Sequence, residues 1–248
     1  MKQGLSSLSL ALVSAHLNDK EQGQVLRELS NPIMDAESFT GPVSSAKIEG
    51  YTSNSFGPGL TMGLKKPKSI KHNGKKLTEI LEAHELFFRG KDGGARADLT
   101  GADLSNADLS GLNFSGAILR NARLEGSDLR TARLPGADLS GACLKNADLR
   151  NTDMTEAILP GADLTGAQAS GVEFFRCDLS NACFERARLR NVNLRGATVT
   201  GARFSGADMG VAILRETDLA GADLSGVDLS TALLPKGFSV PQAAKKSA

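Results

Sequence analysis

Tryptophan is absent from these 248 residues, tyrosine occurs once, and phenylalanine ten times. A layered hydrophobic core normally draws on more aromatic surface than this, so the interior must be assembled from smaller and more regular side chains. Cysteine is scarce too. Cys143, Cys177 and Cys183 are too few for a disulfide framework, which suits a reducing, cytoplasmic setting. The net charge of +1 excludes a strong global pull toward nucleic acid or anionic lipid. No apolar run is long enough to span a bilayer. Leu5 to Ala15 is mildly apolar, but Ser6, Ser7 and Ser9 break it and no small-x-small cleavage pattern follows, so it reads weakly as a signal sequence. The only histidines are His16, His72 and His84. No nucleophile elbow, phosphate loop or metal-ligand spacing occurs. The chain is therefore read as a non-enzyme that needs no metal or cofactor.

What is present is a period of five. From Ala97 the sequence runs ADLTG-ADLSN-ADLSG-LNFSG-AILRN and continues to ALLPK without insertion or deletion. Taking the Leu of each unit as its centre, 28 centres fall at every fifth residue from Leu99 to Leu234. Twenty are Leu, twenty of the residues two before are Ala, and twenty of the residues two after are Gly or Asn. Chance does not hold one phase for so long. Ala and Leu two apart point to the same side of an extended segment, here inward. The Gly or Asn suits a corner with positive φ, and Pro135-Gly136 and Pro160-Gly161 carry the type II turn signature. Each unit is thus a short strand followed by a corner.

These A(D/N)LXX units resemble the pentapeptide repeat family over about three-fifths of the chain. The resemblance implies an all-β solenoid, a right-handed quadrilateral β-helix with four units per turn. Residues twenty apart then stack, at about 4.8 Å per turn, giving about seven turns and a rod of about 34 Å. One inward column is Leu104, Leu124, Leu144, Leu164, Phe184, Phe204 and Leu224. Ala169 interrupts another, and the larger Val172 and Phe174 of the same turn are expected to fill the space. Ser140, one residue after a centre, is read as outward and indifferent to Asp.

Four zones follow. Residues 1–74 read as a poorly ordered arm and linker rich in Gly, Ser and Pro. Residues 75–95 read as a capping helix and connector: Leu77, Ile80, Leu81, His84 and Phe87 or Phe88 keep helical spacing, and Gly90 suits its end. Residues 96–236 form the β-helix, and residues 237–248 a tail. A solenoid end exposes apolar rungs and unpaired strand edges, which is why a cap is expected.

The leading function on this reading is a non-catalytic scaffold presenting flat faces to a protein partner. Candidate contacts are the outward apolar residues Ile118, Ile158, Phe175, Ile213 and Leu233, and the arginines Arg186, Arg188 and Arg190 of the fifth turn. Some family members mimic DNA with an acidic rod to engage gyrase, and that is the first alternative. Here Asp108, Asp128, Asp148, Asp208 and Asp228 share one column, but Arg130, Arg150, Arg188 and Arg190 interrupt it. Arg96 to Lys236 holds 15 basic against 18 acidic residues. The second alternative is an adaptor tethered to membrane or nucleic acid through the basic run Lys65–Lys76.

Overall fold

In the computed structural model, residues 63–238 are described. Most of the arm expected over residues 1–74, and the tail beyond 238, lie outside them.

The units do not build long strands. Nearly every unit contributes a bridged residue just before its centre, and these bridges pair residues twenty apart in parallel from Asp98↔Ile118 to Ile213↔Leu233. Two hydrogen bonds carry each step. Leu99 N–H donates to the Ile118 carbonyl at 2.7 Å, and Ile118 N–H donates back to the Ala97 carbonyl at 2.9 Å. Four columns of such bridges make a four-sided solenoid.

The corners follow from the residue two after each centre. Every one from Gly101 to Gly226 has positive φ, between 52° and 79°. Gly and Asn tolerate this region best. An Asn at one corner also sets the residue above it: the Asn106 amide oxygen lies 2.6 Å from where a Cβ on Gly126 would be. Any side chain at position 126 would therefore collide with it, in addition to its backbone strain.

The interior is the Ala and Leu of each unit. Leu104, Leu124, Leu144, Leu164, Phe184 and Phe204 are buried. Phe184 stacks on Phe204 with ring centroids 5.0 Å apart, and Phe174 meets Phe184 edge-on at 5.8 Å, beside the buried Ala169 and Val172. Leu224 departs from the expected core column and is only half-buried. It lies in the final turn of the repeats, where no further rung among the described residues stacks on it. Where the inward Ala is replaced by a polar residue, that residue is tied to the main chain. Ser127, Thr152, Cys177 and Thr217 donate to the carbonyls of Leu124, Leu129, Met154 and Leu194 respectively. This removes the cost of burying a lone hydroxyl.

The N-terminal end corrects two boundaries. Residues 63–74 belong to the folded body. Pro67–Ser69 is a 3₁₀ turn, and Lys71–His72 (β1) pairs antiparallel with Lys75–Lys76 (β2) through Asn73 and Gly74, both at positive φ. The helix α1 is Leu77–Phe88, so Lys75 and Lys76 lie in the hairpin and not in the helix. Lys76 N–H donates to the Glu79 carboxylate at 3.0 Å, securing the first turn of α1. Ile70 and Leu77 join the core, with Ile80 and Leu81 packed against it.

Candidate interaction surface

The outward residue before each centre does local work first. Asp98 accepts from the backbone N–H of Thr100 at 3.0 Å and from its hydroxyl at 2.7 Å. Asp103, Asp138, Asp163, Asp178 and Asp223 repeat this with the Ser or Thr two residues on. Asp98, Asp103 and Asp223 are held below the usual carboxylate range, chiefly by the hydroxyls of Thr100, Ser105 and Ser225. The same contact overturns the expectation for Ser140. Its hydroxyl donates to Asp138 at 2.6 Å, so an Asp at 140 would set two carboxylates together.

The carboxylates of the column from Asp108 to Asp208 are each paired. Arg130 grips Asp128 with two nitrogens at 2.9 and 2.7 Å, and Arg150 grips Asp148 at 2.8 and 2.6 Å. Lys66 reaches Asp108 at 2.8 Å, and Arg190 reaches Asp208 at 3.4 Å. Such fork-like pairs neutralise a carboxylate more completely than a distant charge does.

Part of the basic run expected to be a solvated linker is docked on the rod through one bridged residue. Lys65 bridges Ala107 in parallel: its N–H donates to the Asn106 carbonyl at 2.7 Å, and its carbonyl accepts from Asp108 N–H at 2.9 Å. Its ammonium lies 3.6 Å from Asp103. Nothing in the five-residue period predicts this, because residues 64–66 lie outside it. The Asn73-Gly74 dipeptide was the legible signal for the hairpin, obscured because both strands are polar.

His84 ties α1 to the first turn. It is buried; Ala97 N–H donates to its Nδ1 at 3.1 Å and its Nε2–H donates to the Ser115 carbonyl at 3.0 Å. Both bonds require the neutral ring protonated on Nε2. Burial pushes its pKa down to about 4; the Ser115 carbonyl opposes this and Arg96 adds to it.

The outward apolar residues do not form one site. Ile118 and Ile158 bridge to Asp138 from either side and are half-buried. Asp138 is itself buried, with Arg120 laid across it. Burial raises its pKa, but the bonds from Ser140 and Arg120 outweigh this and the net shift is downward. Phe175 is half-buried at a corner, with the Arg176 guanidinium 4.9 Å above its ring. At the C-terminal end, Ile213 is half-buried and bridges to Leu233, which is 43% exposed; Val211, two residues before Ile213, is 48% exposed. Arg186, Arg188 and Arg190 are exposed along one rung. Cys143 and Cys183 belong to one outward column with Asp163 between them, yet Cys183 is buried, 3.2 Å from the Thr165 hydroxyl. Among the described residues, no three His, Cys, Asp or Glu side chains are grouped to hold a metal ion.

Comparison with known proteins agrees with this geometry. The profile of the pentapeptide repeats matches residues 97–135, 132–168, 173–210 and 211–235, in eight copies. No curated protein matches the chain. Among solved structures, trypsin-treated QnrB1, a plasmid-mediated fluoroquinolone resistance protein, is 24% identical, with 57% of this chain and 71% of that chain covered and a TM-score of 0.54. That likeness concerns the fold, a right-handed quadrilateral β-helix. HetL, a pentapeptide repeat protein of Nostoc sp. strain PCC 7120 involved in heterocyst differentiation regulation, is 28% identical over 58% of this chain and 87% of that one, with a TM-score of 0.25. With an unbroken five-residue phase, a register of twenty and a profile match over more than half its length, this chain belongs to the pentapeptide repeat family.

Proposed function

We propose that this protein is a non-catalytic binding scaffold: a rod of seven turns, closed at its N-terminal end by α1, that presents flat faces to a protein partner in the cytoplasm. The observation that carries this reading is the apolar cluster at the C-terminal end of one face. Val211, Ile213 and Leu233 project outward from a rigid ladder whose other outward positions are mostly polar. Large side chains left in water on a stiff support are what a protein interface uses as anchors. Membership of a family of interaction proteins supports the same reading.

A DNA-mimic role at a topoisomerase is the weaker reading, because Arg130 and Arg150 neutralise the Asp column that such mimicry would need. Tethering through the basic run is weakened likewise, since Lys65 and Lys66 are engaged on the rod.

The test is affinity capture from the native host with the intact chain, compared with an Ile213→Asp/Leu233→Asp variant. A specific protein should be retained by the wild type and lost by the variant, with both melting alike. Failure of the wild type to retain any protein would remove the scaffold reading. Equal retention by both would move the interface off this end.

A further inference from the structure

The fifth turn breaks the charge pattern of the Asp column in a way that leaves cations unsatisfied. In the second and third turns, Arg130 and Arg150 each pair with the Asp two residues earlier, Asp128 and Asp148. In the fifth turn the equivalent corner residue is Arg190, but the position two before it is Arg188. Arg190 therefore has no local carboxylate and reaches one turn on to Asp208, at 3.4 Å. Arg188 bridges between Gln168 and Asp208, and Arg186 stands at the preceding corner. Neither Arg186 nor Arg188 has an ion pair with another described residue. One rung thus carries three guanidinium groups, while the carboxylates nearest in sequence and stacking are engaged, Glu185 by Arg203 and Asp208 by Arg190.

The rung is also kept open. On the next turn, Gly206 and Gly210 flank Asp208. The Arg186 stem lies over Gly206, 3.7 Å from where a Cβ would be. The Arg190 guanidinium lies over Gly210, where a Cβ would come within 2.8 Å of it. On the preceding turn the corresponding residues are Gly166, Gln168 and Ser170, all uncharged. The Arg186 stem and the Arg190 guanidinium are therefore each seated on a glycine, and all three arginines are exposed.

We propose that Arg186, Arg188 and Arg190 form a docking rung for an extended acidic segment of a protein partner, with carboxylates at alternate residues. This rests on the scaffold reading above and names the chemistry of its partner. The match is geometric. Side chains on one face of an extended strand repeat every two residues, about 6.6 Å apart, and Arg186, Arg188 and Arg190 likewise alternate with the inward Ala187 and Leu189, Arg186 standing at a corner. Each guanidinium presents a fork suited to one carboxylate. A nucleic acid fits less well. Its phosphates continue beyond one rung, and here they would meet Asp208 on one side and Asp148 two turns away on the other, on a rod of net charge −3.

The experiment uses the full chain and a fluorescein-labelled peptide, Thr-Glu-Val-Glu-Val-Glu-Thr, with Thr-Val-Glu-Glu-Glu-Val-Thr as a control of equal composition and charge. Binding is read by fluorescence anisotropy at low salt. The variant is Arg186→Asn/Arg188→Gln, which copies Asn146 and Gln168 from the same two columns and so preserves the corner and ladder. The alternating peptide should bind the wild type, the control peptide should bind it less well, and the alternating peptide should lose at least about tenfold in affinity for the variant. An Arg130→Gln/Arg150→Gln variant should bind as the wild type does. Absence of binding, equal binding of the two peptides, or an undiminished variant would each overturn the proposal. So would displacement by a short single-stranded oligonucleotide at lower concentration than by unlabelled peptide, which would assign the rung to nucleic acid. The scaffold reading is judged separately. A native partner that the Arg variant retains as well as the wild type leaves the scaffold standing and removes only the rung.

Discussion

At the scale of single residues, corner conformation and local hydrogen bonding govern the outcome more than polarity does. Val211 is the sharpest case: a β-branched residue at φ 60°, in a region where such side chains are strained by about 1–2 kcal/mol. Asn191 holds the same corner one turn earlier. Val211→Asn should therefore raise stability by about 1 kcal/mol, seen as a melting temperature several degrees higher. A lower melting temperature would mean that the valine's apolar contacts outweigh its backbone strain. Ser140 teaches the converse. It points outward, but its hydroxyl serves the buried Asp138, so it is a poor site for a neutral control. Thr200 is exposed and follows Thr198 instead of an Asp. Thr200→Asp should be nearly neutral, whereas Leu144→Asp places a lone charge among stacked apolar rungs and should cost more than about 4 kcal/mol. Comparable losses in denaturant unfolding would contradict the inward and outward assignment.

At the scale of elements, the join between α1 and the first turn depends on one neutral imidazole. Protonation of His84 would take away the lone pair that accepts from Ala97 N–H, beside the like charge of Arg96. The folded pKa, about 4, lies below the ordinary value of 6.5. Between these values the unfolded chain binds the proton and the folded chain does not. Stability is thus full above about pH 6.5 and falls as pH drops toward 4. Between pH 7 and pH 5 the loss should be on the order of 2 kcal/mol. His84→Gln keeps one acceptor and one donor without titrating, and should flatten this part of the profile. An identical pH dependence for wild type and variant would place the sensitivity elsewhere. The repeats, their corners and their inward columns were legible in the sequence because one rule, renewed every five residues, fixes backbone and burial together. The start of α1 and the docking of Lys65 were not, for a physical reason. The docking of Lys65 depends on a single pairing across about forty residues, and the start of α1 on a hairpin whose two-residue strands are polar; a lysine in a polar stretch carries no mark of the strand it will join. Candidate surface residues could be named from the repeat phase. Which of them remain in water depended on neighbours one turn away, as Cys183 under Thr165 and Ile118 beside Asp138 show.

At the scale of the whole molecule, the balance of charge separates the functional readings. Competing with DNA for a topoisomerase requires a dense and continuous negative surface. Here the sustained Asp column is met by Lys66, Arg130, Arg150 and Arg190 in turn. Gyrase supercoiling should accordingly proceed unchanged with micromolar amounts of this protein, even at low salt, where weak electrostatics are exaggerated. Inhibition abolished by reversing Asp108, Asp128 and Asp148 to Lys would restore DNA mimicry as the better account.

The two ends of the rod are unequal. At the start, Lys65 supplies a strand partner and α1 covers the apolar opening; at the finish, Leu224 and Leu234 stay half-buried and Leu233 is exposed among the described residues. Because backbone bonds between units reach no further than one turn, the rod behaves as a one-dimensional lattice whose described N-terminal boundary is pinned more firmly than its described C-terminal one. Its amide protons should then exchange with solvent deuterium as a gradient, fastest near Ala232 and slowest near Leu104, with opening that travels from the C-terminal end inward. The Val211–Leu233 cluster sits where this lattice opens most easily. A partner that bound there would also pin this boundary, and its arrival would slow exchange along the last turns well beyond its own footprint.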